Sequence, residues 1–98
     1  MSLYENEILL EWDENKRRQI LTERGIDFAD TAEVLSDPNV AAFVDDRRNY
    51  GETRYNAYGI SKGRRLRVSF TPRNGKIRVI TMFKVSESEW SKYYGKDD

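Results

Sequence analysis

The pattern of apolar and polar positions changes its period along the chain and separates extended from helical parts. Apolar and polar side chains alternate from residue 65 to residue 71, which predicts a strand at 64–71 with one buried and one polar face. Asn74-Gly75 comes shortly afterwards and is a residue pair typical of two-residue hairpin turns. Further strands are predicted at 9–12, 40–44, 54–60 and 76–85, the last of them apolar enough to be buried on both faces.

Helices are predicted on both sides of this β-rich part. The first runs from an N-cap at Asp13 to a stop at Gly25, with Ile20 and Leu21 directed to the core. A second, short helix begins at Asp27. Its predicted apolar face consists of Phe28, Ala32 and Leu35.

A last helix is predicted to start at Ser86, which forms a capping box with Glu89. The order is then one short strand, two helices, four strands and one helix. We therefore predict an α+β fold in which a mainly antiparallel four-stranded meander carries the helices on one face. The 98 residues are enough for one domain, and we assign residues 1–98 to it.

The composition excludes several kinds of chemistry. The chain has no Cys, so it has neither disulfides nor thiolate metal sites, and it has no His, which removes the usual base at neutral pH and every Ser-His-Asp triad. We expect neither a metal nor a cofactor. No apolar run approaches the length of a membrane span and the N-terminus is unlike a signal peptide, so a cytoplasmic protein without a membrane partner is expected.

Charge is distributed unevenly, although the net charge is zero. Between residues 54 and 84 there is no Asp or Glu, so the rest of the chain carries the compensating negative charge. This asymmetry is typical of one face for a polyanion and another that is acidic, but a solvated basic hairpin is an equally good interpretation. The basic residues of this stretch are Arg54, Lys62, Arg64, Arg65, Arg67, Arg73, Lys76, Arg78 and Lys84.

Four short motifs, in order and at similar spacing, resemble the BrnT family of bacterial toxins. The resemblance covers about residues 10 to 94. The first two motifs are Trp12-Asp13-Glu14-Asn15-Lys16 and Gly25-Ile26-Asp27-Phe28. The other two are Gly51-Glu52-Thr53-Arg54, before a strand that ends at Gly59, and the hairpin Phe70-Thr71-Pro72-Arg73 with Ile77-Arg78-Val79-Ile80.

The resemblance implies a RelE-like fold and the activity of a metal-independent endoribonuclease, the toxin of a type II toxin–antitoxin pair. Its partners would be RNA and a BrnA-like antitoxin, and DNA would be bound only through that antitoxin. Both a homodimer and a heterotetramer with the antitoxin are open. An interaction module with weakened catalysis, whose remaining task is to bind the antitoxin, is the main alternative, and a non-catalytic nucleic-acid binder is another.

The implied reaction assigns roles to residues of the basic region. Glu52 is the candidate base for the 2′-hydroxyl, although a nearby cation would weaken it. Lys84 could supply a cation or a proton. The candidates for clamping the phosphate are Arg54, Arg73 and Arg78. The candidates for binding RNA are Arg65 and Arg67, along its backbone, and Tyr55 or Tyr58, against a base.

Structural roles compete with these assignments. Arg65 and Arg67 are also explained as a solvated or partner-binding face, and Tyr55 and Tyr58 as packing residues. Glu52 with Arg54 is equally well explained as a cross-turn ion pair, and Arg78 could simply pair with a buried carboxylate. Three departures from the family pattern bear on activity, the first of them Ile20, which stands where members often have Asn. Arg24 stands where members often have His, and Phe83 stands where they often have a second Arg.

Overall fold

The computed structural model describes residues 8–96, and its elements follow the order strand, two helices, four strands and helix. The strands are β1 (Leu10–Glu11), β2 (Ala41–Asp45), β3 (Arg54–Ser61), β4 (Arg64–Arg73) and β5 (Lys76–Lys84). The helices are α1 (Glu14–Arg24), α2 (Thr31–Leu35) and α3 (Glu87–Tyr93), with a 3-10 turn at Phe28–Asp30 before α2. The chain is therefore α+β, as its pattern predicted.

All five strands belong to one sheet, in the order β1-β5-β4-β3-β2. Strands β2 to β5 pair antiparallel with their neighbours in the chain, whereas β1 pairs parallel with β5. The sheet is thus mixed and five-stranded, which differs from the predicted four-stranded antiparallel meander. A strand of two residues is too short for its sequence to show which partner it joins, and β1 is held by backbone bonds such as Ile77 N–H to Leu9 O at 2.8 Å.

One face of the sheet carries the apolar core beneath α1 and α2. Phe28 and Val34 are fully buried there against Ala57 and Val68, which point to this face from β3 and β4. Gly59 of β3 lies directly under α2, where a Cβ atom would come within 2.5 Å of the Val34 carbonyl oxygen. The absence of a side chain at this position therefore allows α2 to pack directly on the sheet.

The core positions predicted in the first two helices are confirmed only in part. Leu21 is 39% exposed on the outer side of α1, while Ile20 is buried as predicted. In the predicted second helix Phe28 is buried and Leu35 packs against the core as predicted, but the buried residues of α2 are Thr31 and Val34, and Ala32 is only half-buried. The physical reason is the 3-10 turn, which has 3.0 residues per turn instead of 3.6 and so changes the face on which the later residues lie.

Helix α3 packs on the opposite face of the sheet, so the prediction that all helices share one face is wrong. Tyr58 and Arg67 lie directly opposite each other in β3 and β4, and both donate hydrogen bonds to Glu89 Oε2, at 2.8 and 2.7 Å. Tyr93 of α3 stacks on the Tyr58 ring with centroids 4.9 Å apart. A strand face rich in arginine can be covered by a helix when the helix supplies the matching carboxylate and aromatic rings.

The cap of α3 and the burial of β5 also differ from the predictions. Ser86 caps α3 by accepting the Glu89 N–H, but the Glu89 carboxylate turns to the sheet, so the reciprocal bond of a capping box is not made. In β5 only Val79 and Met82 are buried, so this strand is not covered on both faces. The face of β5 that is turned away from the core lies in the part of the sheet that α3 does not cover.

Candidate active site

A cleft of about 230 Å³ lies on the α3 side of the sheet, at the end that α3 does not cover. Arg73 comes from the last position of β4, beside the Asn74-Gly75 turn, and Arg78 comes from β5 across that hairpin. Arg54 is the first residue of β3, and Glu52 belongs to the loop before it. The cleft is lined by Asp13, Lys16, Glu52, Arg54, Arg73, Arg78, Val79 and Ile80.

A β-bulge shapes the floor of this cleft. Ser69 pairs with Thr81 and Phe70 with Val79, so Ile80 between them has no partner in β4. The extra residue changes which side chains of β5 reach each face, and it lets Arg78 and Thr81 both point to the α3 side. Bulges of this kind commonly redirect a side chain next to a functional site.

Glu52 lies between two guanidinium groups. Its Oε1 accepts from Arg73 Nη2 at 3.0 Å and its Oε2 accepts from Arg54 Nε at 3.1 Å. The hydrogen bond from Arg73, followed by that from Arg54, holds the pKa of the Glu52 carboxyl below its usual range. The ion pair that competed with a catalytic role is therefore present, and it extends to a second arginine.

Arg78 is paired as well, through the short strand β1, whose parallel pairing with β5 was not predicted. Glu11 lies directly opposite Arg78 in the parallel pairing, and Arg78 Nη1 donates to Glu11 Oε2 at 2.9 Å. Both side chains are a little over a quarter exposed, so the pair lies at the edge of the cleft rather than in the core. The pairing fixes the position of the Arg78 guanidinium without removing it from solvent.

Lys16 also lines the cleft, although it is not among the catalytic candidates predicted from the sequence. Asp13 Oδ1 accepts the Asn15 and Lys16 backbone N–H groups at 2.9 and 3.3 Å, which fixes the first turn of α1 beside β5. Within residues 8–96 the Lys16 amine has no carboxylate within 4.0 Å, unlike the three arginines of the cleft. Its place in the opening Trp-Asp-Glu-x-Lys motif was the signal that could have drawn attention to it.

The remaining predicted residues lie elsewhere. Lys84 is six residues beyond Arg78 on β5, roughly 20 Å away at 3.3 Å per residue, and it pairs with Leu66, which points to the core face. Tyr55 stacks on Phe70 on that same core face. Arg65 projects beside Trp90 at the α3 end of β4.

Tyr58 and Arg67 form part of the contact with α3. Tyr58 is 4% exposed, so its ring is not accessible to a base in this arrangement. Burial, followed by its hydrogen bond to Glu89, raises the pKa of Tyr58 to about 12. Arg67 pairs with the same Glu89 carboxylate at 2.7 Å. These two side chains therefore stabilise the packing of α3.

Two of the three departures from the family pattern, Arg24 and Phe83, contact each other. The Arg24 guanidinium lies 4.2 Å from the centroid of the Phe83 ring, and Arg67 approaches the same ring at 4.7 Å. Arg24 also donates to Met82 O at 2.8 Å and to Thr81 Oγ1 at 3.0 Å. The first bond gives the Met82 carbonyl a partner in the part of β5 that lies beyond the residues paired with β1. Arg24 thus places a guanidinium beside Phe83, at the position where family members often have a second Arg.

The profile of one protein family, the ribonuclease toxin BrnT of type II toxin–antitoxin systems, matches residues 12–89. The chain belongs to the BrnT family. The match covers the four motifs and every cleft residue, and membership in a toxin family of this type implies an antitoxin partner. A comparison with curated proteins finds no match.

The carboxylates and the helices of this BrnT-family chain bear on metals and membranes. Across residues 8–96, no three carboxylate side chains converge in a way that could hold a metal ion. None of the helices in that part of the chain has the length and apolar composition needed to cross a membrane.

Proposed function

We propose that this BrnT-family toxin is a metal-independent endoribonuclease of RelE-like fold, and that the cleft at Arg73 and Arg78 binds the scissile phosphate. The observation that carries the proposal is the convergence of Lys16, Arg54, Arg73 and Arg78 around Glu52 in one cleft. Guanidinium groups suit phosphate oxygens because their planar N–H forks donate two hydrogen bonds at once. Four cations stand against two carboxylates in the lining and a third, Glu11, at its edge, so the cleft keeps a net positive charge.

The proposed reaction uses the 2′-hydroxyl of the RNA as the nucleophile. Glu52 accepts the 2′ proton, the 2′-oxygen forms a bond to phosphorus, and the bond from phosphorus to the 5′-oxygen breaks. The products are a 2′,3′-cyclic phosphate and a 5′-hydroxyl end. Arg73 and Arg78 stabilise the negative charge that builds on the phosphate oxygens.

Glu52 would be a poor base while two arginines hold it. An incoming phosphate competes for the Arg73 and Arg54 N–H groups, which frees the Glu52 carboxylate and raises its basicity at the moment when a proton must be accepted. The leaving 5′-oxygen takes a proton from Lys16, which lines the cleft. We prefer Lys16 to Lys84 in this role because Lys84 lies at the far end of β5.

Cleavage of a fluorogenic RNA by the purified protein tests the proposal. We expect products with 5′-hydroxyl ends, in the presence of EDTA, and a loss of about 10²-fold or more in kcat/KM for Arg78→Ala and Glu52→Ala. Arg18→Ala is the matched control, since Arg18 is exposed on α1 and donates only to Asn15 within residues 8–96. Failure of the parent to cleave, or equal cleavage by the cleft variants, would refute the proposal.

The role of Lys16 has its own test. A substrate with sulfur in place of the 5′-oxygen has a leaving group that needs no proton. We expect Lys16→Ala to cleave ordinary RNA slowly and the sulfur-substituted RNA at nearly the parental rate, while Arg78→Ala is slow on both. Equal slowing of Lys16→Ala on both substrates would show that Lys16 does not donate the proton.

The second candidate function is an interaction module that binds a BrnA-like antitoxin and lacks catalysis. The observation that favours it is that each of the three cleft arginines already has a carboxylate partner. Expression of the chain alone, and then with its antitoxin, distinguishes the two functions. A nuclease toxin arrests growth alone and is relieved by the antitoxin, whereas an interaction module binds the antitoxin without arresting growth.

A further inference from the structure

A second concave surface adjoins the cleft on the same face of the sheet. This surface, here called the α3 groove, has a volume of about 610 Å³ and lies between β2 and α3, with Phe43, Asp45, Asn56, Arg67, Glu89 and Tyr93 in its lining. Asp45 lies directly opposite Arg54, which belongs to the cleft. Asn56 follows Arg54 by two residues and so points to the same face. The α3 groove therefore begins where the cleft ends.

The α3 groove and the cleft differ in charge. Three carboxylates and three cations line the groove, namely Asp45, Asp46 and Glu89 with Arg47, Arg67 and Lys92, so it is neutral. Two of these carboxylates are already neutralised, Asp45 by Arg47 at 2.8 Å and Glu89 by Arg67 at 2.7 Å. The positive cleft is therefore the better place for a phosphate, and the neutral groove suits the uncharged part of a nucleotide.

The groove also contains polar groups that are free to recognise a ligand. Asn56 Oδ1 accepts from Ser69 Oγ at 2.6 Å, and within residues 8–96 the Asn56 amide nitrogen makes no hydrogen bond. Glu89 Oε2 accepts from both Tyr58 and Arg67, while Oε1 has no partner in that same part of the chain. One amide donor and one carboxylate oxygen are thus available beside the aromatic wall of Phe43 and Tyr93, whose rings meet edge to face at 5.3 Å.

We propose that the α3 groove is a nucleobase subsite, next to the scissile phosphate, that selects a base with an exocyclic amino group over uracil. A carboxylate accepts from the amino group of cytosine, and an asparagine amide pairs with adenine. Uracil has no amino group and would turn carbonyl oxygens towards the Glu89 carboxylate. This inference rests on the proposed nuclease function, because the RNA must enter through the cleft.

Two measurements test the subsite separately from the nuclease. The first is cleavage of a randomised RNA by the parent, with sequencing of the product ends. The second is binding of 2′-O-methyl oligonucleotides, which lack the nucleophile, with either uracil or an amino-bearing base at the enriched position. Both are repeated with Asn56→Ala and Glu89→Gln, and Gln19→Ala serves as the matched carboxamide control because Gln19 is exposed on α1.

The expected result is an enrichment of amino-bearing bases over uracil of about tenfold at one position beside the cut. Asn56→Ala and Glu89→Gln flatten this preference, whereas Arg78→Ala slows all sequences alike and Gln19→Ala changes nothing. Because Glu89→Gln could weaken the packing of α3, the Asn56 variant decides the matter if Glu89→Gln fails to fold.

Three outcomes separate the two proposals. Cleavage with no base preference, or with a preference that Asn56→Ala leaves intact, overturns the subsite and leaves the nuclease standing. A base preference in oligonucleotide binding without any cleavage supports the subsite and refutes the nuclease. If the groove variants keep their base preference but lose relief by the antitoxin, the groove is a protein-docking surface and the subsite is overturned.

Discussion

The contact between Gly59 and α2 gives a sharp prediction about stability. Gly59 is buried in β3, and a Cβ atom there would lie 2.5 Å from the Val34 carbonyl oxygen and 2.9 Å from Val34 Cγ1. At an open position Gly→Ala would stabilise the protein by about 0.4–1 kcal/mol, through the unfolded state. At Gly59 the overlap is with backbone, which cannot rotate away, so we expect a net loss of about 1–3 kcal/mol for Gly59→Ala.

The assay is urea or thermal unfolding followed by circular dichroism. For a domain of this size, a loss of about 2 kcal/mol lowers the Tm by roughly 8–16 °C. Val34→Ala provides a second check, because it removes the Cγ1 atom but leaves the carbonyl oxygen. We expect Gly59→Ala to remain destabilising in the Val34→Ala background. A Gly59→Ala protein that is as stable as the parent would refute the packing of α2 on β3.

Three further predictions concern charge. In uncleavable RNA binding, Arg78→Ala should reduce the slope of log K against log salt by about 0.7, and an unchanged slope would remove Arg78 from phosphate contact. The Arg47 guanidinium holds the pKa of the Asp45 carboxyl well below its usual range. The Asp45–Arg47 ion pair therefore stabilises the fold fully above the unfolded pKa of Asp near 3.8, and this stabilisation is lost as pH falls through the folded pKa. Unfolding free energies of Asp45→Asn and the parent should therefore differ most above about pH 4 and converge in acid. Phe83→Arg should lower the Tm more than Phe83→Leu does, because it adds like charge beside Arg24 as well as removing a cation–π contact. Equal Tm values for the two Phe83 variants would contradict this contact.

The local elements could be predicted well, because short-range chemistry decides them. Asp13 caps α1 and Gly25 ends it with a φ of 67°, as their residue types require. Asn74 and Gly75 adopt the positive φ angles, 53° and 76°, of a two-residue hairpin. The alternation in β4 assigned its two faces correctly, with Val68 in the core and Arg67 on the other side.

The site was predicted only in part, because proximity across strands is not encoded in any single segment. Residues on neighbouring strands next to one turn, such as Arg73 and Arg78, could be expected to meet, and both line the cleft. Lys84 carries the same charge as Lys16, but its distance along β5 removes it from that cleft. Lys16 reaches the cleft because β1 joins β5 in parallel and delivers the start of α1 there.

The sequence by itself therefore determined the order of the elements, the caps of α1, the hairpin turn, the polar and apolar faces of β4, and membership in a family of ribonuclease toxins. Only the tertiary structure decided that α3 covers the arginine face, that β1 completes the sheet, and which cations share a cleft. The physical reason is that capping, turn and alternation energies act within a few residues. Ion pairs such as Arg78 with Glu11 depend on how distant segments pack.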